Sequence, residues 1–207
     1  MNILRSIVFL SALIWGFSCS DSTSIGSNTK DRLSYVDSLI QARKIWNKEL
    51  KTNPKSPIPT EKREAFVGLN HFAPDSTWII NASIQLIQNP EIIQMATSTE
   101  RLASMITYAK IVLTIQDKPF ELIAFQEVGD TKGELFVPFT DLTSGQETYG
   151  GGRYLNLGVS GTDSILVDFN LAYNPYCAYN IAFSCPIPPE ENYISIPITA
   201  GEKILYH

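Results

Sequence analysis

Residues 111–125, I-V-L-T-I-Q-D-K-P-F-E-L-I-A-F, decide the fold class of this chain. Apolar side chains fill both halves of the stretch, and the polar residues Gln116-Asp117-Lys118-Pro119 separate them. Two apolar runs joined by a short run of turn-forming residues are typical of a β-hairpin. The pattern therefore predicts two antiparallel strands that reverse direction at 116–119.

The same period of two continues through most of the chain after Gly68. Residues 193–199, for example, alternate isoleucine with polar residues or proline, so the isoleucines share one face of a strand. A second hairpin is predicted to turn at S-G-T-D, residues 160–163. The candidate strands are 77–86, 92–98, 104–115, 120–127, 134–139, 153–158, 164–170 and 193–199. Short strands with frequent turns predict a mainly β fold, an antiparallel β-sandwich or open barrel.

One helix precedes the strands. From Asp31 to Lys51 the apolar residues recur at helical spacing, and Asn53-Pro54 ends the pattern. This helix is expected to pack outside the β-structure. A chain of 207 residues suits one domain, so residues 31–207 are predicted to form a single β-rich domain.

The first residues predict export. Arg5 and the apolar run 6–17 are typical of a signal peptide, residues 1–18, because the run is too short to span a bilayer. Cys19 follows Gly16-Phe17-Ser18 and is the candidate for lipidation; the alternative is an ordinary secreted protein with an unmodified Cys19. Residues 19–30 are polar and are interpreted as a tether. The expected location is a bacterial cell envelope, lipid-anchored on the periplasmic or surface side.

Charge and cysteine content limit the partners. A net charge of −5 argues against nucleic acid, which binds cationic surfaces. Contact with the membrane is expected through the lipid anchor on Cys19 alone. Cys177 and Cys185 are left as an even pair, which in an exported chain predicts a disulfide. Their spacing matches no zinc site, so neither metal nor cofactor is expected.

Chemistry-bearing residues crowd the segment 147–192. Asp168 and Asn170 share one face of a predicted strand, where they either bind a ligand or, as we favour, pin the following loop. Arg153 follows three glycines and is either an anion clamp or, the interpretation we favour, a buried partner of Asp168 or Glu147. Tyrosines beside these groups stack on flat ligands or fill the core. The candidate ligand-binding residues are Tyr149, Arg153, Asp168, Asn170, Tyr173 and Asn174.

The sequence gives little support for a known catalytic motif. Nucleophilic triads need a histidine, and His71 is the only internal one. Serine and cysteine also lack a nucleophile-elbow pattern. Glu147 and Asp168 are weak candidates for a general base.

The quoted segment and its surroundings resemble the family known as domain of unknown function 1684. The motifs are L-F-V-P-F-T-D at 135–141, E-T-Y-G-G-G-R-Y-L at 147–155, D-F-N-L-A-Y-N-P-Y-C-A-Y at 168–179, S-C-P-I-P-P-E-E-N at 184–192 and A-G-E-K at 200–203. The resemblance extends over about 35–203 and implies that 135–203 form one unit. It also implies an aromatic residue such as Tyr where this chain has His71. No activity, substrate or cofactor is known for the family. Some of its members lack export signals, which implies that Cys177 and Cys185 could pack in the core or bind a metal instead of forming a disulfide.

Two functions are compatible with the sequence. The first is a lipoprotein of the cell envelope that binds a small polar molecule or an envelope partner without catalysis. The second is a hydrolase that uses Glu147 or Asp168 as general base and Arg153 as anion clamp.

Overall fold

The computed structural model describes residues 23–129, 133–158 and 163–205. Within these ranges, one long helix packs outside a mainly antiparallel, nearly closed β-barrel, which confirms the predicted fold class. The elements are α1 (Thr23–Thr52), β1 (Ile79–Leu86), β2 (Ile92–Ala96), β3 (Leu102–Ile115), β4 (Lys118–Glu127), β5 (Glu134–Asp141), β6 (Arg153–Gly158), β7 (Ser164–Asp168) and β8 (Tyr193–Ile194). Each predicted strand overlaps one of these strands.

The central hairpin is formed by β3 and β4, as predicted. Ile115 pairs with Lys118, so the turn contains only Gln116 and Asp117. Their φ angles are 49° and 61°, the left-handed conformation that a two-residue hairpin turn of type I′ requires at both positions. The hairpin is thus tighter than predicted, and β4 begins at Lys118 instead of residue 120.

The sheet order is β6-β5-β4-β3-β1-β7, with β2 added beside β3 and β8 beside β5. The predicted hairpin between β6 and β7 is wrong. Strand β6 pairs with β5, whereas β7 pairs with β1 through Ile79↔Asp168 to Ser83↔Ser164. Residues 160–162 of the predicted turn lie outside the described residues. The two strands are the ends of the sheet, and they approach each other because the barrel curls nearly closed.

The barrel interior is apolar. Val137, Val167 and Phe169 are fully buried, together with side chains from all the long strands. The C-terminal segment closes the core: Ile194, Ile196 and Ile198 are buried while the residues between them are exposed. The predicted shared face is therefore confirmed, although only Tyr193 and Ile194 join a strand ladder.

Helix α1 begins at Thr23, so residues 23–30 of the predicted polar tether are helical. Leu39 and Leu50 are buried against the body of the protein. Asn47 Oδ1 accepts the Leu69 N–H at 3.0 Å, a polar contact between the helix and the segment that precedes β1. The predicted signal peptide and Cys19 lie outside the described residues. No helix in the described part of the chain is long and apolar enough to cross a membrane.

Candidate functional site

A cleft of about 710 Å³ lies between α1, the barrel and the C-terminal segment. Helix α1 contributes Trp46 and Arg43, and the strands contribute Phe136 and Tyr154. The segment after β7 contributes most of the remaining wall. Aromatic side chains predominate among the larger lining residues: Trp46, Phe136, Tyr154, Tyr173, Tyr176 and Phe183.

Glu202 forms the polar end of this cleft. Its side chain is almost fully buried, with 3% of the residue exposed. Oε2 accepts the Asn174 backbone N–H at 2.8 Å and the Tyr179 hydroxyl at 2.5 Å. The other oxygen, Oε1, lies 4.0 Å from Nε2 of His71, which is too far for a hydrogen bond. One half of the carboxylate is thus held firmly and the other half has no protein partner among the described residues.

Burial raises the pKa of Glu202 to about 7. The hydrogen bonds from Tyr179 and Asn174 and the charges of Arg153 and Arg43 oppose this shift, because all of them stabilise the anion. A carboxyl group that titrates near neutrality can exchange its proton under ordinary conditions. Such groups are concentrated at binding and catalytic sites.

His71 is neutral in this environment. Burial and the nearby charge of Arg43 lower its pKa to about 4. Nδ1 lies 3.2 Å from the Leu69 carbonyl oxygen, which can only accept, so Nδ1 carries the proton. Nε2 is therefore a lone-pair acceptor that faces Glu202.

Arg43 connects the helix to this wall. Its guanidinium donates to the carbonyl oxygens of Phe72 at 3.0 Å and Asn170 at 3.2 Å. Burial lowers its pKa, while the charges of Tyr35, Glu202 and Asp168 act in the opposite direction. It forms no ion pair with any residue that the structure describes. Arg43 thus brings a positive charge to the cleft while its hydrogen bonds hold the backbone.

Arg153 is fully buried and does not line the cleft. It pairs with Asp141 at 2.9 Å, so the predicted partners Asp168 and Glu147 are wrong. Its other contacts are the carbonyl oxygens of Ile198, Ala200 and Glu202. The guanidinium therefore fastens the C-terminal segment to the barrel. An anion clamp needs an accessible guanidinium, and Arg153 lacks one.

Asp168 pins the loop after β7. Oδ1 accepts from the backbone N and the Nδ2 of Asn170, at 3.0 and 2.9 Å. Oδ2 accepts the Tyr35 hydroxyl at 2.6 Å. Both oxygens are engaged, which supports the structural interpretation over a general base. Asn170 also exchanges two hydrogen bonds with the Asp75 backbone, and one side of it lines the cleft.

The other candidate residues divide between cleft and surface. Tyr173 and Asn174 line the cleft, and the Tyr173 hydroxyl donates to Asn156 Oδ1 at 3.1 Å. Tyr149 lies outside the lining, with its hydroxyl 3.8 Å from Cys177 Sγ. Glu147 is exposed and pairs with Lys203 at 3.3 Å. The cleft therefore contains Asn170, Tyr173 and Asn174 of the predicted set, and not Tyr149, Arg153 or Asp168.

The predicted disulfide between Cys177 and Cys185 is wrong, since both cysteines are free thiols. They are nonetheless neighbours: the Cys177 N–H donates to Cys185 Sγ at 3.2 Å. Burial raises the pKa of Cys185 to about 11, so this thiol is a poor nucleophile at neutral pH. The cysteine count suggested that these two side chains are neighbours. Disulfide formation also depends on geometry and redox state, which a count of cysteines does not give. No cluster of three metal-ligating side chains occurs in the described ranges.

The sequence contained an unused signal for Glu202. The buried positions 194, 196, 198 and 200 continue in steps of two to 202. A carboxylate in register with a core face is unusual, because burying a charge is costly unless it has a role. Arg43 and Tyr179 had no comparable signal, since their position depends on how the helix and the loops pack.

Comparison with known proteins gives the family. Residues 64–203 match the family described as "Protein of unknown function (DUF1684)". A solution NMR structure of an uncharacterised protein from Haloarcula marismortui is similar, with a TM-score of 0.67 and 37% sequence identity. The match covers 84% of this chain and 96% of that one. Comparison with curated proteins finds no relative. The chain is therefore a member of the DUF1684 family.

Proposed function

We propose that this protein binds a small organic molecule in the cleft between α1 and the barrel. The observation that carries the proposal is the combination of an aromatic lining with a polar end whose acceptor atoms lack protein partners. Ligand sites in proteins typically have volumes of about 300–1,000 Å³, apolar walls and a few oriented polar groups. The cleft agrees with this description in size and in composition.

Thermal-shift screening against sugars, amines, carboxylates and divalent metals tests the proposal. A ligand that binds only the folded protein stabilises it, by about 2.7 kcal/mol at a concentration 100 times its Kd. Ala42 is exposed and lines the cleft, so Ala42→Trp should fill the space and remove the stabilisation. Gln41→Trp is the matched control, because Gln41 is exposed on the same helix outside the lining.

The proposal fails if no compound raises the melting temperature. It also fails if Ala42→Trp leaves the stabilisation unchanged, because the ligand then binds elsewhere.

A hydrolase is the second candidate function, with Glu202 as general base in place of Glu147 or Asp168. The supporting observation is a buried carboxyl with a pKa of about 7, in a cleft and next to a neutral imidazole. General-base catalysis contributes about 10²–10⁴ in rate. Hydrolysis of an ester or amide substrate should therefore fall by at least about 100-fold in Glu202→Gln. Equal rates in the two proteins would remove this candidate.

We also propose that the cleft is presented at a bacterial cell envelope by a lipid on Cys19. The support is the signal-like sequence of residues 1–18 and the position of Cys19 directly after it. Metabolic labelling with a clickable fatty acid should mark the wild-type protein and not Cys19→Ser. Equal labelling of the two proteins, or labelling of neither, would contradict the anchor.

A further inference from the structure

The polar end of the cleft contains acceptor atoms that receive no hydrogen bond from the described chain. Oε1 of Glu202 and Nε2 of His71 face each other at 4.0 Å, and neither forms a hydrogen bond within the described chain. Oδ1 of Asn174 is a third acceptor, buried with no partner. A ligand that covered Glu202 Oε1 and His71 Nε2 without pairing them would cost free energy, so these acceptors favour a ligand that supplies N–H or O–H groups.

The charges around this end also lack a positive partner. Two ion pairs are complete by themselves: Arg153 with Asp141, and Lys203 with Glu147. The remaining groups are the carboxylates of Asp168 and Glu202 and the single guanidinium of Arg43. When Glu202 is ionised, this set carries one net negative charge. A monovalent cation would neutralise it, whereas an anion would add to it.

Another part of the cleft rim also carries more negative than positive charge. Glu127 and Glu134 line it together with Arg101, and all three are exposed. Arg101 is engaged by Ser184, whose Oγ accepts from Nε at 3.1 Å and whose carbonyl oxygen accepts from a terminal nitrogen at 2.9 Å. The charged groups that line the cleft are thus three carboxylates and two guanidinium groups, and they carry one net negative charge when Glu202 is ionised, which attracts cations.

The walls between the two ends suit an organic cation. Tyr154, Tyr173, Tyr176 and Phe183 line the cleft and pack edge-to-face in pairs: Tyr154 with Tyr173, and Tyr176 with Phe183. Trp46 adds an indole from the helix. Aromatic faces attract ammonium groups and also bury the apolar body attached to them.

We propose that the cleft binds a primary or secondary amine as its ammonium ion, with an apolar or aromatic body. The ammonium N–H groups donate to Glu202 Oε1 and His71 Nε2, because a nitrogen about 2.9 Å from each acceptor can bridge their 4.0 Å separation. The body of the amine lies along the aromatic wall. This inference rests on the proposed function, since it identifies the class of ligand for the same cleft.

Arg43 is the residue in the cleft that would most favour an anionic ligand. Its hydrogen bonds to the protein make it less available to bind an anion. Two of its terminal nitrogens already donate to the carbonyl oxygens of Phe72 and Asn170. An anionic ligand would approach Glu202 as well as Arg43, because both line the same wall. The guanidinium of Arg43 is already hydrogen-bonded, whereas the acceptors Glu202 Oε1 and His71 Nε2 are open. The cleft therefore favours a ligand that donates hydrogen bonds.

Three probes of nearly equal size test the inference: benzylamine, benzyl alcohol and benzoate. We expect benzylamine to bind at least about tenfold more tightly than the other two, measured by isothermal titration calorimetry and by tryptophan fluorescence. Glu202→Gln should abolish this preference, because the amide keeps the shape and loses the charge. Glu147→Gln is the control, since Glu147 is exposed and paired with Lys203 outside the cleft.

A second variant guards against misfolding of Glu202→Gln. His71→Phe removes the Nε2 acceptor and retains an aromatic ring, and it should weaken benzylamine several-fold while leaving benzyl alcohol unchanged. Tighter binding of benzoate, or equal binding of the three probes, overturns the inference. So does the absence of benzylamine binding when other compounds occupy the cleft, and the proposed function then stands. If no compound of any class binds the cleft, both fall.

Discussion

Three acidic residues are buried in the part of the chain that the structure describes, and two of them, Asp141 and Glu202, have contrasting surroundings. Asp141 lies in the barrel wall with Arg153 at 2.9 Å, and its Oδ1 accepts from Thr143 and from the Ile198 N–H. Glu202 lies at the cleft with one oxygen held and the other facing His71 at 4.0 Å. The first group is saturated by the protein and the second is not.

The difference separates a structural charge from a functional one. Arg153 donates to the carbonyl oxygens of Ile198, Ala200 and Glu202, so the Arg153–Asp141 pair also fixes the segment that carries Glu202. Binding sites need polar groups that are held in place by the surrounding protein and are open to the ligand, and Glu202 has both properties. Arg153 therefore serves the cleft indirectly, by holding the backbone of residues 198–202.

The largest expected effect comes from breaking the buried pair of Arg153 and Asp141. Asp141→Ala leaves Arg153 buried without its carboxylate, and loss of one partner of a buried pair costs about 3–5 kcal/mol. Urea unfolding followed by circular dichroism measures this loss of free energy. Glu121→Ala is the matched control, because Glu121 forms an exposed pair with Lys110 at 2.7 Å. An exposed pair contributes less than about 1 kcal/mol, so equal losses in the two variants would contradict the assignment.

The next effect is a pH dependence of stability, to which Glu202 and His71 make opposing contributions. The ordinary pKa of Glu202 is 4.5 and the folded value is about 7. Between these pH values the folded state binds more protons than the unfolded state, so stability falls as pH rises. The pKa of His71 moves from 6.5 to about 4, and in that window stability rises with pH. The two slopes oppose each other between pH 4.5 and 6.5.

Single variants should separate the two slopes. Glu202→Gln should become more stable as pH rises from 4 to 6.5, and His71→Phe less stable as pH rises from 4.5 to 7, each by about 3 kcal/mol at ~1.4 kcal/mol per pKa unit. Burial is the main cause of both shifts; Arg43 on the helix adds to the shift of His71, whereas Tyr179, Asn174, Arg153 and Arg43 oppose the shift of Glu202. Urea unfolding across this pH range measures the slopes. Parallel curves for the wild type and both variants would show that neither group is perturbed.

A smaller effect is expected at the helix. Arg43→Met removes two hydrogen bonds to carbonyl oxygens and should cost about 2–3 kcal/mol, because bonds from a charged donor contribute more than neutral ones. The same change should raise the pKa of His71, since the charge of Arg43 holds it down. Proton NMR titration of the imidazole measures that shift. Lys44→Met is the control on an exposed position of the same helix, and an identical result would exclude the contact.

The smallest effect concerns Glu147. Glu147→Gln removes an exposed pair with Lys203 and should change stability by less than about 1 kcal/mol, with no change in ligand binding. Thermal unfolding and the benzylamine titration check both statements. A large loss of binding would move the functional site from Glu202 towards the predicted residue.

The local parts of the fold were predictable from sequence. Residues 111–125 contain their own turn, and β6 was predicted at its observed bounds, because period-two patterns and turn residues act over short distances. The pairing of β7 with β1 was not predictable, since it depends on strands far apart in the chain. The same limit affected the site. The pinning role favoured for Asp168 is local and agrees with its contacts to Asn170, whereas the partner of Arg153 and the approach of Arg43 to the cleft depend on long-range packing.

The most direct test is an NMR titration of the Glu202 side-chain carboxyl, with and without benzylamine. In the free protein we predict a midpoint near pH 7, and a lower midpoint when the ammonium group stabilises the anion. A free midpoint near the ordinary 4.5, unchanged by benzylamine, would contradict the claim that this carboxylate is the open half of a binding site.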